Sequence, residues 1–378
     1  MSDLIQTLAS LVRLNTVNPA YQDGGTEANA LPFLRRFFEA RGLETTEQEV
    51  FPGRNNLLAR LPGQSRRRLV LEAHTDTVSV KGMTIPPFEP TLSHGRLYGR
   101  GSVDDKAGLA AMMHAVASIR ADGIVPPCEV LLCAVVDEEF SYRGVVRLCE
   151  GLDADAAIVA EPTELRVVIA SKGVLRFRIS TTGKAAHSAK PHLGNNAISH
   201  MARLVLALED ENRRLEETSH PLLGSPTVNV GVISGGVQVN LVPNHCTIEI
   251  DRRLLPGETA PVVLGSYQQT LDRLRDQHPG FQANIESPPL LVDEALDTPA
   301  GATVVQTAQQ VLRTLGLADS VCGVPFGSDA SKLSRAGIPT ILFGPGSIDQ
   351  AHSVDEYVEL AQVEKAAAFY RHFILNYV

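Results

Sequence analysis

Several short stretches of this chain are apolar almost without interruption, and they restrict the fold more than any other feature. Residues 130–136 read Val-Leu-Leu-Cys-Ala-Val-Val, residues 156–160 read Ala-Ala-Ile-Val-Ala, and residues 339–343 form a third run. A strand wetted on one face alternates apolar and polar residues, whereas a run like these suits a strand buried on both faces. Residues 55–61 and 68–73 also read as strands, separated by Pro62-Gly63. Between such strands lie helical patterns. Residues 26–41 place Leu31, Leu34, Phe37 and Phe38 on one face and stop at Gly42, residues 104–120 are Ala-rich, and residues 302–315 form a later helix. Strands of this kind alternating with helices predict an α/β domain whose sheet is mostly parallel and covered on both sides.

From about residue 173 to residue 286 the texture changes. Leu175, Phe177 and Ile179 alternate with Arg176 and Arg178, as on a half-exposed strand. A long helix over residues 195–217, strands near 228–233 and 246–251, a helix over 260–276 and a strand near 281–285 follow. The order βαββαβ is that of a ferredoxin-like sandwich with one sheet face exposed. A chain of 378 residues exceeds what one core usually holds. The expected organisation is therefore a larger domain, residues 1–172 and 287–378, interrupted by a smaller one over residues 173–286.

The formal charge of -9 argues against nucleic acid or an anionic membrane as partner. No apolar run reaches the length of a membrane span. Leu4, Ile5, Leu8, Leu11 and Val12 fall at helical spacing behind Asp3, which fits an amphipathic helix and not a secretory leader. The five cysteines form no Cys-x-x-Cys pair and read as reduced, mostly buried thiols. A cytoplasmic location is expected.

The chemistry gathers at strand ends. His74 and Asp76 close the strand at residues 68–73, Asp137-Glu138-Glu139 close the next, Glu161 ends the third, and His352 follows the last through Gly344-Pro345-Gly346. Asp104 follows Gly99-Arg100-Gly101 and opens a helix. In an open parallel sheet the ligand crevice lies beyond the carboxyl ends of the strands. One His-x-Asp by itself is more often a buried histidine satisfied by its neighbour. Two histidines and several carboxylates at one sheet edge are instead the donor set of a zinc-type site.

These motifs carry a resemblance. His74-Thr75-Asp76, Gly101-Ser102-Val103-Asp104-Asp105-Lys106, Asp137-Glu138-Glu139, Glu161-Pro162 and Gln350-Ala351-His352 resemble, in order and spacing, those of the acetylornithine deacetylase, succinyl-diaminopimelate desuccinylase and aminoacylase group of two-zinc metallohydrolases. The resemblance implies two Zn2+ per subunit, with Co2+ as a substitute. One would take His74, Asp104 and Glu161, the other Asp104, Glu139 and His352. It gives Glu138 the role of base towards the shared water and Asp76 that of holding His74. Adjacent residues on an extended strand point opposite ways, which accords with different tasks for Glu138 and Glu139.

In the inserted segment, Gly183-Lys184-Ala185-Ala186-His187-Ser188 matches the family's lid histidine, which donates to the developing oxyanion. Asn240, Arg253 and Gly327 match substrate-binding positions, Arg253 fitting the spacing to Pro256-Gly257 better than Arg252. Taken alone, His187 in a loop would be a surface histidine. The implied activity is hydrolysis of a small N-acyl amino acid, N-acetyl first, as in N-acetylornithine. An aminoacylase, desuccinylase or dipeptidase is the alternative. Phe326-Gly327-Ser328-Asp329-Ala330 departs from the Thr-Glu-Ala of acetylornithine deacetylases, and the Arg that desuccinylases place after this Asp is absent. A non-catalytic relative would be expected to have lost Glu138 or a ligand, and every such position is filled here. The resemblance also implies a homodimer joined through the inserted domain.

Overall fold

The computed structural model describes residues 2–378, which divide into two compact units. The first runs up to Ile169 and resumes over Thr298–Cys322 and Ser328–Val378; the second is Ala170–Asp297 with Gly323–Gly327. The second unit extends past residue 286, the boundary expected from sequence. The reason is a short strand, Leu291–Asp293, that pairs with Gly173–Thr182 and so belongs to the inserted sheet.

In the first unit four strands lie side by side in parallel, in the order Glu129–Val135, Arg68–His74, Ala156–Val159, Thr340–Leu342. Antiparallel strands flank them: Arg54–Leu61 and Glu44–Phe51 on one side, Val167–Ser171 on the other. Leu69 stands opposite both Val130 and Ala156, and every residue from Leu69 to His74 is buried. That burial needs cover on both faces. The helix Lys106–Ala121 packs with Asp3–Val12 and Leu360–Asn376, while Arg143–Cys149 packs with Ala330–Arg335. The C-terminal helix contributes Phe369, Tyr370 and Phe373, all fully buried, and Phe369 stacks on Phe343 with ring centroids 3.7 Å apart. Each such side chain stabilises the fold by about 1.5–3 kcal/mol through burial.

The second unit has the predicted βαββαβ order. Its sheet runs Thr227–Gly235, His245–Leu254, Gly173–Thr182, Gln282–Ile285. The helices Ala197–Leu215 and Ala260–Gln277 enclose a core of Phe177, Ile179, Met201, Leu204, Ile248, Tyr267 and Leu271. The opposite face carries cross-strand ion pairs, Arg176 to Asp251 at 2.8 Å and Arg178 to Glu249 at 2.7 Å. At the sheet edge, Val232 and Ile233 remain 51% and 58% exposed, a placement no core requirement explains.

Candidate active site

The strand Arg68–His74 ends with His74 turned into a buried cluster. Its Nε2 lies 2.9 Å from Asp104 Oδ1, and its Nδ1 lies 3.0 Å from the main-chain carbonyl of Asp76. That carbonyl, rather than the Asp76 carboxylate at 3.7 Å, is the nearer partner, so the expected hold of Asp76 on His74 comes mainly through its backbone. The carboxylate is engaged elsewhere. It accepts the amides of Glu138 and Glu139, both at 3.1 Å, and the Asn18 side chain at 2.9 Å.

Glu138 and Glu139 do not lie on an extended strand. The strand Glu129–Val135 has already ended, Asp137 adopts φ 70°, and the chain enters a turn. Strand alternation therefore does not separate the two glutamates. The turn is fixed from several sides: Asp137 accepts from Asn18 at 3.0 Å and from Arg54 at 3.1 Å, and its main-chain carbonyl accepts the Tyr142 amide at 2.7 Å. The Tyr21 hydroxyl donates to the carbonyl of Glu139 at 3.0 Å.

Asp104 sits between two histidines. Oδ1 faces His74, while Oδ2 is 3.3 Å from His352 Nε2, which also lies 3.2 Å from Glu139 Oε1. Asp105 is turned away. Its Oδ1 lies so close to Gly108 that a Cβ there would fall at 2.4 Å, which explains the glycine in Lys106-Ala107-Gly108. His74, Asp104 and Glu139 offer donor atoms all within 4.8 Å of one another. Glu161 and His352 lie outside that tightest group. Glu161 is nonetheless buried and feels the charges of Asp104 and Glu138.

Too many carboxylates share this space for their charges to balance. Burial, then the neighbouring Asp104 and Glu138 charges, pushes the Glu161 carboxyl well above its ordinary value. Burial does the same to Glu138, reinforced by Asp329, Glu139 and Asp104, and Glu139 is raised by burial and Asp104. The imidazoles are raised as well, which for them favours the charged form. His352 is raised to about 10 by its hydrogen bonds with Asp104 and Glu139. Burial opposes charge on His74, yet the Asp104 and Asp76 carboxylates outweigh it and raise that group well above its usual range. Such a cluster demands added positive charge, and a nitrogen-plus-carboxylate donor set suits borderline divalent cations such as zinc.

The remaining predicted residues lie in the second unit. Exposed His187 and Asn240 are held on paired segments, with Ser188 N donating to Asn240 O at 3.0 Å and Val242 N to Ala186 O at 2.8 Å. Arg252 is buried against Glu258 at 2.5 Å, whereas Arg253 is partly exposed and pairs with Asp251 at 2.8 Å. Of the two, Arg253 is the more exposed. Gly327 falls in the short segment Gly323–Gly327 of this unit. Sequence reading missed Asn18 and Glu356, whose roles depend on burial that no local pattern reveals.

Comparison with known proteins places this site in context. The model of Peptidase family M20/M25/M40 matches residues 70–376. An acetylornithine deacetylase of Myxococcus xanthus is 34% identical over 313 residues, covering 81% of this chain and 79% of the relative. An N-formyl-4-amino-5-aminomethyl-2-methylpyrimidine deformylase of Halalkalibacterium halodurans is 28% identical, covering 96% of this chain and 91% of the relative. Among solved structures, a tripeptidase from Staphylococcus aureus superposes with a TM-score of 0.81 at 24% identity, covering 98% of this chain and 96% of that one.

Proposed function

Since the chain belongs to peptidase family M20/M25/M40, and is thus a metal-dependent hydrolytic enzyme, we propose that it removes a small acyl group, acetyl first, from the nitrogen of an amino acid at a two-metal centre. The observation that carries this reading is the placement of Asp104, whose two carboxylate oxygens each face a different histidine. A carboxylate so placed can serve two cations at once. His74, Asp104 and Glu161 would hold one, and Asp104, Glu139 and His352 the other; the donor set suits Zn2+. Bound there, the cations would lower the pKa of a water and polarise the substrate carbonyl.

Glu138 takes the proton of the attacking water and passes it to the departing nitrogen, which cannot leave as an anion. Its amide donates to Asp76 at 3.1 Å, which fixes the backbone from which its carboxyl extends. Arg253 pairs with the carboxylate of the amino acid, a task suited to its forked donors. Asn240 and Gly327 line the substrate's path, and His187 donates to the oxyanion.

The succinyl alternative is weakened by the lack of an Arg just after Asp329, where Ala330 and Ser331 stand; the nearest following cation, Lys332, is engaged. Its Nζ donates to Ser328 O at 3.1 Å and lies 3.2 Å from the centre of the Tyr142 ring. The formyl relative and the peptidase fold keep other small acyl groups and dipeptides as the second reading. A homodimer joined through the exposed edge of the second unit completes the proposal, and arginine synthesis in the cytoplasm is the setting an acetylornithine substrate would imply.

The test is a hydrolysis panel of N-acetylornithine, N-acetylcitrulline, other N-acetyl and N-formyl amino acids, N-succinyl-diaminopimelate and dipeptides, with metal-depleted and zinc-reloaded protein. Turnover of N-acetyl substrates only after reloading is expected. Brisk dipeptide cleavage with none of the acetyl substrates turned over would move the assignment to the peptidases.

A further inference from the structure

Arg100 and Glu356 form an ion pair of 2.7 Å with Arg100 only 3% exposed and Glu356 0%. Charged side chains seldom go so deep unless paired, and a lone pair of this kind is weak support for stability. Its further bonds point to a different role. One oxygen of Glu356 accepts the Gly101 amide at 2.9 Å; the other accepts the amides of Val103 at 2.9 Å and Asp104 at 3.2 Å. Arg100 spreads its second terminal nitrogen over the carbonyls of Ser79 at 3.0 Å and Ser353 at 3.3 Å. Gly99 also donates to the main-chain carbonyl of Glu356 at 3.0 Å.

Three segments meet at this pair. Ser79 lies a few residues beyond His74 and Asp76, Gly101 to Asp104 present the shared carboxylate, and Ser353 is the residue after His352. We propose that Arg100 and Glu356 are positioning residues that set the spacing between the two histidines and Asp104, and therefore the affinity of both metals together. A carboxylate taking three amides from one loop leaves that loop a single conformation. A planar guanidinium reaching two carbonyls at once ties the flanking segments to it. Neither side chain is among the metal ligands or substrate contacts proposed above.

This rests on the two-metal reading above, and the experiment separates the two. Metal-depleted wild type, Glu356→Gln and Arg100→Lys are titrated with Zn2+, and with Co2+ while its visible absorption is followed; melting of each metal-depleted protein serves as the folding control. Outer-sphere partners of metal ligands typically govern affinity by about 10–100-fold. The expected result is a loss of that size at both sites in Glu356→Gln, with an altered Co2+ spectrum and a lowered kcat at nearly unchanged KM. Arg100→Lys keeps the charge but not the two-carbonyl reach, and should lie between. Wild-type isotherms and spectrum in folded variants would overturn the proposal while leaving the two-metal reading intact. A wild type that binds no cation would overturn both. Should Glu356→Gln fail to fold, Arg100→Lys decides the matter alone.

Discussion

Glu138 and Glu139 are chain neighbours whose amides are gripped by one carboxylate, and yet the roles proposed for them differ. Glu139 meets His352, whereas Glu138 is pressed by burial and by Asp329. Replacing Glu138 by Gln keeps the shape and removes the proton carrier. Turnover should fall at least about a hundredfold, the low end for general acid–base catalysis, while both metals remain by elemental analysis. Near-normal rates in a fully loaded Glu138→Gln protein would take the base role from this residue. His352 makes a contrasting case, since it faces Asp104 and Glu139 but not His74. His352→Ala should loosen one metal by at least the tenfold or so that even an outer-sphere loss costs, and leave the other tight. Equal retention of both in a titration would mean that His352 is no ligand.

Among the elements, those with a strong period were readable in advance. The parallel strands announced themselves as apolar runs, and the βαββαβ order of the inserted segment followed from its alternation. The edge strand Glu44–Phe51 did not, because its run Glu-Thr-Thr-Glu-Gln-Glu is polar and only half-buried. The histidine and carboxylates that gather here were legible because motifs fall at or just beyond strand ends near His74, Glu139 and Glu161. What held them was not: Asn18 lies 58 residues from Asp76 and Glu356 252 from Asp104. The strand alternation expected to separate Glu138 and Glu139 does not reach them, because the strand ends at Val135 and the chain turns at the left-handed Asp137. The edge strand Thr227–Gly235 invites its own test. Its two adjacent apolar side chains, each more than half exposed, are where the proposed dimer contact is tested. If the proposed dimer is joined there, the double change Val232→Asp with Ile233→Asp should cost the fold little, about 0.5 kcal/mol per exposed position, and convert dimer to monomer in sedimentation. A variant that sediments as wild type would place the interface elsewhere.

On the scale of the molecule, catalysis is proposed to draw on groups that lie far apart in the chain. His187 is exposed within its own unit. If a second copy supplies it, mixing His187→Ala with Glu138→Gln under conditions of subunit exchange should restore activity. Each heterodimer then holds one site lacking both groups and one complete site, so roughly a quarter of wild-type turnover is the statistical expectation for equal mixing, each complete site turning over as usual. Exchange without recovery would confine His187 to its own chain. The way the second unit is spliced in has a consequence of its own. Thr298 N donates to Ile169 O at 2.8 Å, and beyond them Leu296 pairs with Ser171. These are the contacts of an ordinary hairpin, in which the unit from Ala170 to Asp297 occupies the place of the turn. Turns tolerate added chain because nothing in the parent register depends on their length. A shortened or replaced unit between Ala170 and Asp297 should therefore leave the register of the strand ends that carry His74 and Glu161 unchanged.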